Sequence, residues 1–284
     1  MRITLWGTRG SLPSPGPDTV RYGGNTSCVE VRGEDRTLLI LDAGTGIRRL
    51  GTALEPGAAR VDILLTHLHM DHILGLGFFG PLERSDLEVH IWGPSSTTLD
   101  LETRLTRYLA PPLFPVRLYD LPCHLTFHDV PLGDFAIGGF QITAALVCHP
   151  GPTVGYRIAD EGGVMAYIPD HEPALGVRHL PVPSDWTSGF DLASRADLLI
   201  HDAQYGAAEY LQHVGWGHSA ITHAIALATA ARVKRLIAFH HDPNRSDRAL
   251  DRLIAGSRGA SPLPFSFGAG KEGMRFHLGR PQRA

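Results

Sequence analysis

Short apolar and β-branched runs recur along the chain, separated by turn residues and, in places, by helical patterns. After an opening run Ile3-Thr4-Leu5-Trp6, strands are predicted at 28–31, 37–41, 61–66, 88–92, 140–147, 153–158, 164–168, 198–201 and 236–239. Apolar residues at helical spacing predict helices over 47–54, 95–108 and 219–232, and the Pro/Gly-rich pieces at 109–122 and 173–185 read as surface loops. Strands and helices alternate in both halves with no low-complexity linker between them. The pattern predicts sheets covered by helices in one α/β domain spanning residues 1–284.

Composition narrows the function classes. Of 284 residues, 43% are hydrophobic and 19% charged, a globular balance. Lys+Arg 26 against Asp+Glu 29 leaves a net charge of −3, so bulk charge does not mark a polyanion binder. No apolar run approaches the roughly 20 residues of a membrane helix, and Arg2 leads straight into a strand rather than a secretory h-region. Cys28, Cys123 and Cys148 are odd in number and far apart, which excludes a disulfide framework and predicts a reducing, cytoplasmic setting. Histidine stands out, with 16 residues. It is the commonest metal ligand.

The densest histidine run is Thr66-His67-Leu68-His69-Met70-Asp71-His72. On an extended segment His67 and His69 point the same way, whereas on a helix they diverge. Asp71 and His72 precede Ile73-Leu74-Gly75-Leu76, where a helix can begin with an acid near its positive end. A strand end followed by one helical turn can aim four side chains into one small volume. Imidazoles and carboxylates suit zinc, with manganese or iron as alternatives.

The spacing His67-x-His69-x-Asp71-His72 resembles the signature of the metallo-β-lactamase superfamily, and the chain carries further pieces in the family's order. They are Asp42-Ala43-Gly44-Thr45-Gly46, His149 in Val147-Cys148-His149-Pro150, Asp170 in Tyr167-Ile168-Pro169-Asp170, and His240 after Leu236 to Phe239. The resemblance implies an αββα sandwich with two mixed β-sheets face to face and helices outside. It also implies two divalent ions, most simply zinc, one held by His67, His69 and His149 and the other by Asp71, His72 and His240, with Asp170 between them. Asp42 would support the site from behind, and Asp71 would double as a base. The adjacent His241 leaves the last ligand open between two residues; His240 is chosen because it directly follows the strand.

The full histidine set with Asp170 is similar to the phosphodiesterase and ribonuclease Z branch. Gly215-Trp216-Gly217-His218-Ser219 resembles that branch's His-Ser-Thr element, with Ala220 in place of the threonine. The resemblance makes His218 the general-acid candidate and Asp202 its partner, with Ser219 the expected helix N-cap beside an anion. His201 and His223 are expected to be structural, and Arg9 to face solvent or an anion. Residues 173–195 leave no room for a tRNA-gripping arm. The sequence therefore favours a small or cyclic-nucleotide phosphodiester over RNA, and it leaves a homodimer open. A tRNA 3′-endonuclease, a lactone or thioester hydrolase and a non-catalytic metal-bound sensor are the alternatives, since fold alone does not select a substrate.

Overall fold

The structure is a computed structural model that describes residues 1–279 apart from 56, 174, 176–185 and 260–261. The first sheet is built from β1 (Arg2–Gly7), β2 (Cys28–Arg32), β3 (Leu38–Leu41), β4 (Arg60–Leu64), β5 (Glu88–Gly93) and β6 (His124–Asp129). The chain then enters the second sheet through β7 (Gly133–Ile137), β8 (Phe140–Leu146), β9 (Val154–Asp160), β10 (Gly163–Ile168), β11 (Leu198–Asp202), β12 (Arg235–Phe239) and β13 (Ser266–Ala269). A last strand, β14 (Arg275–His277), returns to the first sheet. The strand orders are β14-β1-β2-β3-β4-β5-β6 and β13-β12-β11-β10-β9-β8-β7.

Both sheets are mixed. β3 to β6 are parallel to one another, as are β10 to β13, while the remaining neighbours are antiparallel. The inner faces meet in a core that includes Val29, Leu41, Tyr156, Tyr167, Ile200 and Phe239. On the outer face of the first sheet lie α1 (Ile47–Ala53) and α3 (Leu101–Thr106), and on that of the second lie α4 (Phe190–Ala193), α6 (Ile221–Ala230) and α7 (Asp247–Gly256). This is the αββα sandwich that the resemblance implies. Two further short helices, α2 (Met70–Ile73) and α5 (Ala207–Tyr210), stand at the strand ends that carry the histidines.

The predicted strands are all present, displaced by at most two residues at either end. Two predicted helices are shorter than expected. Over 95–108 only Leu101–Thr106 is helical, because the Asp100 carboxylate accepts the Thr103 N–H at 2.7 Å and starts the helix there. The helix expected from Ser219 begins at Ile221, with Ala220 in the N-cap position. Ser219 is not the cap: its hydroxyl instead donates to the His171 carbonyl at 2.6 Å. The loop predicted at 173–185 falls almost wholly outside the described residues. Among the described residues no helix is long and apolar enough to cross a membrane. All three cysteines are free.

Candidate metal centre

In a parallel sheet the strands' carboxyl ends share one edge, so side chains just beyond them converge in space. The sequence exploits this edge in both sheets. Asp42 follows β3, His67 to His72 follow β4, His149 follows β8, Asp170 follows β10, Asp202 ends β11 and His240 follows β12. α2 opens at Met70 with His69 as the residue before it, so Asp71 and His72 sit in its single turn as expected. Asp42 and His240 both adopt left-handed backbone conformations, with φ of 59° and 57°. Such conformations cost about 1–3 kcal/mol for a non-glycine residue. Here they turn the side chain back into the cleft at the strand end.

The predicted side chains are brought together in two adjoining groups, His67/His69/His149 and Asp71/His72/Asp170/His240, in each of which one ligand-type atom per residue lies within 4.8 Å of all the others. Asp170 stands between them. Its Oδ1 is 3.0 Å from His72 Nε2 and 3.3 Å from His240 Nε2, while its Oδ2 is 3.8 Å from both His67 Nε2 and His149 Nε2. His149 Nε2 lies 3.2 Å from His69 Nδ1, and Asp71 Oδ2 lies 3.0 Å from His240 Nε2. Ligands about 2.0–2.2 Å from a tetrahedral ion stand roughly 3.3–3.6 Å apart. The observed 3.0–3.8 Å separations bracket that edge length.

Polar satisfaction points the same way. His67 Nε2, His72 Nε2 and Asp170 Oδ1 are buried with no well-aligned hydrogen-bond partner among the described residues, although they face one another. Buried polar atoms are rarely left so, and an ion among them removes the deficit. Three carboxylates, Asp42, Asp71 and Asp170, surround His72. Burial alone would lower the pKa of its imidazole, but their charges outweigh it and hold it well above the usual value. Burial likewise opposes ionisation of Asp71 and Asp170, yet neighbouring imidazoles keep both carboxyls well below their usual range. Burial keeps His67, His69 and His149 neutral, the protonation state that metal ligation needs. The donor set therefore fits two dications.

A surrounding layer orients these groups. The Asp42 carboxylate accepts from the Thr66 N–H at 2.7 Å, the Thr66 hydroxyl at 3.0 Å and the Tyr167 hydroxyl at 2.9 Å, and it pairs with His72 Nδ1 at 2.8 Å. That fixes which His72 nitrogen faces the cluster. Gln204 Oε1 does the same for His240 through Nδ1 at 2.7 Å, and the Gly217 carbonyl for His149 through Nδ1 at 2.8 Å. Asp71 Oδ2 accepts the Ser11 N–H at 2.7 Å. Of the two adjacent histidines His240 is the one that joins the cluster, while His241 turns away and its Nε2 meets the Gly270 carbonyl at 2.8 Å.

His218 lies beside the cluster, its ring 5.2 Å from that of His149 and 4.8 Å from that of His240. Its Nδ1 is 2.8 Å from Asp202 Oδ2. Burial opposes its protonation, but the Asp202 charge and hydrogen bond prevail and push its pKa up to about 9. Asp202 is itself held by the backbone N–H groups of His171, Gln204 and Ser219. His201 is structural as expected, buried with its Nδ1 against the Asp202 carbonyl at 2.7 Å, and His223 is buried against the Tyr210 ring. Arg9 is a correction. It is fully buried away from solvent, pairs with the Asp247 carboxylate of this chain at 3.6 Å, and donates to the carbonyls of Gly23, Asp242 and Arg245, clamping the N-terminal turn to the loop after β12.

Sequence reasoning missed Glu172, Gln204 and Ser11. Glu172 is buried and accepts from the N–H groups of Gly215 and Gly217 and from the Tyr210 hydroxyl, fixing the turn before His218. Its only sequence signal was its position two residues after Asp170.

Comparison with known proteins decides the family. The profile described as "Beta-lactamase superfamily domain" matches residues 37–241, which contain every residue of the two groups. The chain belongs to the metallo-β-lactamase superfamily. Ribonuclease Z of Natronomonas pharaonis is 28% identical, covering 90% of this chain and 94% of its own length. The crystal structure of human tRNase Z, short form, superposes with a TM-score of 0.67 at 22% identity, covering 98% of this chain and 99% of that one. Zn(2+)-bound PqqB from Methylobacterium extorquens gives a TM-score of 0.71 at 16% identity over 98% of this chain and 100% of that one. By family this metallo-β-lactamase-fold protein is a metal-dependent hydrolase.

Proposed function

We propose that this metallo-β-lactamase-superfamily chain is a dinuclear-metal phosphodiesterase that cuts RNA, in the manner the name ribonuclease Z denotes, and that residues 1–284 form its single hydrolase domain. The observation that carries the proposal is the Asp202–His218 pair at 2.8 Å, set against the seven-residue cluster. A phosphodiester has a poor leaving oxygen, and this pair sets a proton donor for it beside the cluster.

In this reading His67, His69 and His149 would hold one ion and Asp71, His72 and His240 the other, with Asp170 between the two groups. Two bound divalent ions, with zinc the best match to this nitrogen-rich set, would supply Lewis acidity and lower the pKa of a water held at the site. The chain's own residues do the rest. Asp71, pinned at Oδ2 by Ser11, orients that water. Asp202 takes the Nδ1 proton of His218 as a hydrogen bond, which leaves Nε2 as the atom that gives a proton to the leaving oxygen. Against burial, and without metal, the Asp202 charge and hydrogen bond push the pKa of this imidazole up to about 9, and a proton retained on the ring steadies charge on the phosphate.

The sequence alone favours a small diester, and the relatives reverse that order. Proteins named Ribonuclease Z align over about nine-tenths of both chains. The argument from a missing arm rests on a segment of which 176–185 lie outside the described residues. Three free cysteines fit work in a reducing compartment such as the cytoplasm. The test is a panel on zinc-reconstituted protein with a 3′-trailered precursor tRNA, a cyclic nucleotide, bis-p-nitrophenyl phosphate and a lactone. The trailer should be removed with the highest kcat/KM. Turnover confined to the cyclic nucleotide would refute the RNA assignment, and turnover confined to the lactone would refute phosphodiester chemistry altogether.

A further inference from the structure

Trp216 is 62% exposed, although it lies only two residues before His218. A tryptophan left in water forgoes a large apolar burial, and this one is held in place rather than dangling. The turn that carries it is pinned from beneath by Glu172, which accepts the Gly215 N–H at 2.9 Å and the Gly217 N–H at 2.8 Å. Both flanking glycines have positive φ, 83° and 86°, so the turn is closed by residues that accept that backbone without strain.

The indole is also the outer end of an aromatic column. One edge rests on His213, with ring centroids 4.9 Å apart at 90°. His213 stacks on Tyr205 at 4.4 Å and 14°, and Tyr205 meets His218 at 6.1 Å and 75°. His213 is itself tied down, with Nδ1 2.8 Å from the Glu209 carbonyl. The column runs from the acid at the reaction centre out to a rigid, solvent-facing indole. The Gly217 carbonyl, one residue on, holds His149.

Resting on the phosphodiesterase reading, we propose that Trp216 is a stacking platform for the nucleobase next to the scissile phosphate, a substrate-binding residue of this site. An exposed indole fixed two residues before the acid, on the turn whose Gly217 carbonyl holds His149, offers a flat face to a single-stranded nucleotide whose phosphate lies at the centre, and stacking tolerates any base. The binding gain from one such stack corresponds to about tenfold or more in Kd.

The test measures the binding of metal-loaded protein to a 3′-tailed hairpin RNA whose junction carries a methylenephosphonate that cannot be cut. A second copy of the RNA is abasic on both sides of the junction. Wild type should bind the base-bearing RNA about tenfold more tightly than the abasic one. Trp216→Ala should bind both as weakly as wild type binds the abasic RNA, and Trp216→Phe should restore most of the preference. Equal binding of the two RNAs by wild type, or a preference that survives in Trp216→Ala, overturns the proposal. Turnover of the ordinary RNA by wild type is scored separately. RNA bound with base preference but never cut defeats the hydrolytic reading and leaves the platform standing, and RNA cut without base preference does the reverse.

Discussion

Replacing Asp202 with asparagine isolates the contribution of the acid partner to His218. The imidazole is raised from an ordinary 6.5 to about 9, with the Asp202 charge and hydrogen bond overcoming burial. If catalysis needs the protonated ring, a pKa of about 9 keeps about nine-tenths of it protonated at pH 8, whereas without Asp202 burial acts to hold the ring at or below its ordinary 6.5, which leaves no more than about 3%. The variant should therefore lose at least about 30-fold in kcat at pH 8, with the loss narrowing as pH falls toward 6. A second readout comes from the metal-free protein. A pKa raised in the folded state contributes stability that is complete below pH 6.5 and is lost as pH rises through 9. The shift corresponds to about 3 kcal/mol across that window, and the raised His72 adds to it with the same sign. Denaturant unfolding of chelated protein from pH 6 to 9.5 should show that decline in wild type and a much shallower one in Asp202→Asn. A kcat loss that is the same at every pH would refute the acid-partner argument and reduce Asp202 to a scaffold for the His171, Gln204 and Ser219 backbone. No loss at all would remove His218 from the chemistry.

Other perturbations test the surrounding shell. Asp42→Ala takes the acceptor from His72, Tyr167 and Thr66, so metal affinity by chelator competition should fall about 10- to 100-fold, and unfolding free energy by about 3 kcal/mol; an unchanged affinity would show that His72 needs no orienting carboxylate. In Gly10→Ala the new Cβ would lie 2.1 Å from His240 Nδ1, so the ring must move, and metal analysis should find one of two ions lost with the other retained. Gly217→Ala, at φ 86° with its Cβ 2.3 Å from His149 Nδ1, should lose the other ion, and two ions retained in both variants would contradict the division of ligands. Chelation should lower Tm by roughly 10–20 °C relative to protein whose two sites are each in zinc at 100 times Kd, from about 2.7 kcal/mol of linked binding per ion. A Tm indifferent to chelator would deny the cluster any ion.

The sandwich and the clustering of its candidate ligands were legible because both leave periodic or positional marks. Buried parallel strands read as unbroken apolar runs, as in Leu198 to Ile200 and Leu236 to Phe239, and each ligand falls just beyond such a run. The edge strands β6 and β7 went unread, since each buries few of its side chains and mixes polar with apolar positions. The His-Ser element lies beside the cluster as expected but is not the helix cap, because the Ser219 hydroxyl finds the His171 carbonyl from a neighbouring strand end, a contact 48 residues away. Arg9 was misread for the same reason. Two of its three carbonyl acceptors lie 233 and 236 residues along the chain, beyond any local pattern. Glu172 and Gln204 are single polar residues whose meaning exists only once β10, β11 and the turn at Gly215 are assembled.

The most direct measurement is an anomalous difference map at the zinc edge from crystals of zinc-reconstituted protein. Two peaks are expected for each chain, one touching His67, His69 and His149, the other touching Asp71, His72 and His240, with an Asp170 oxygen directed at each. A single peak, or peaks lying away from these seven side chains, would contradict the dinuclear centre.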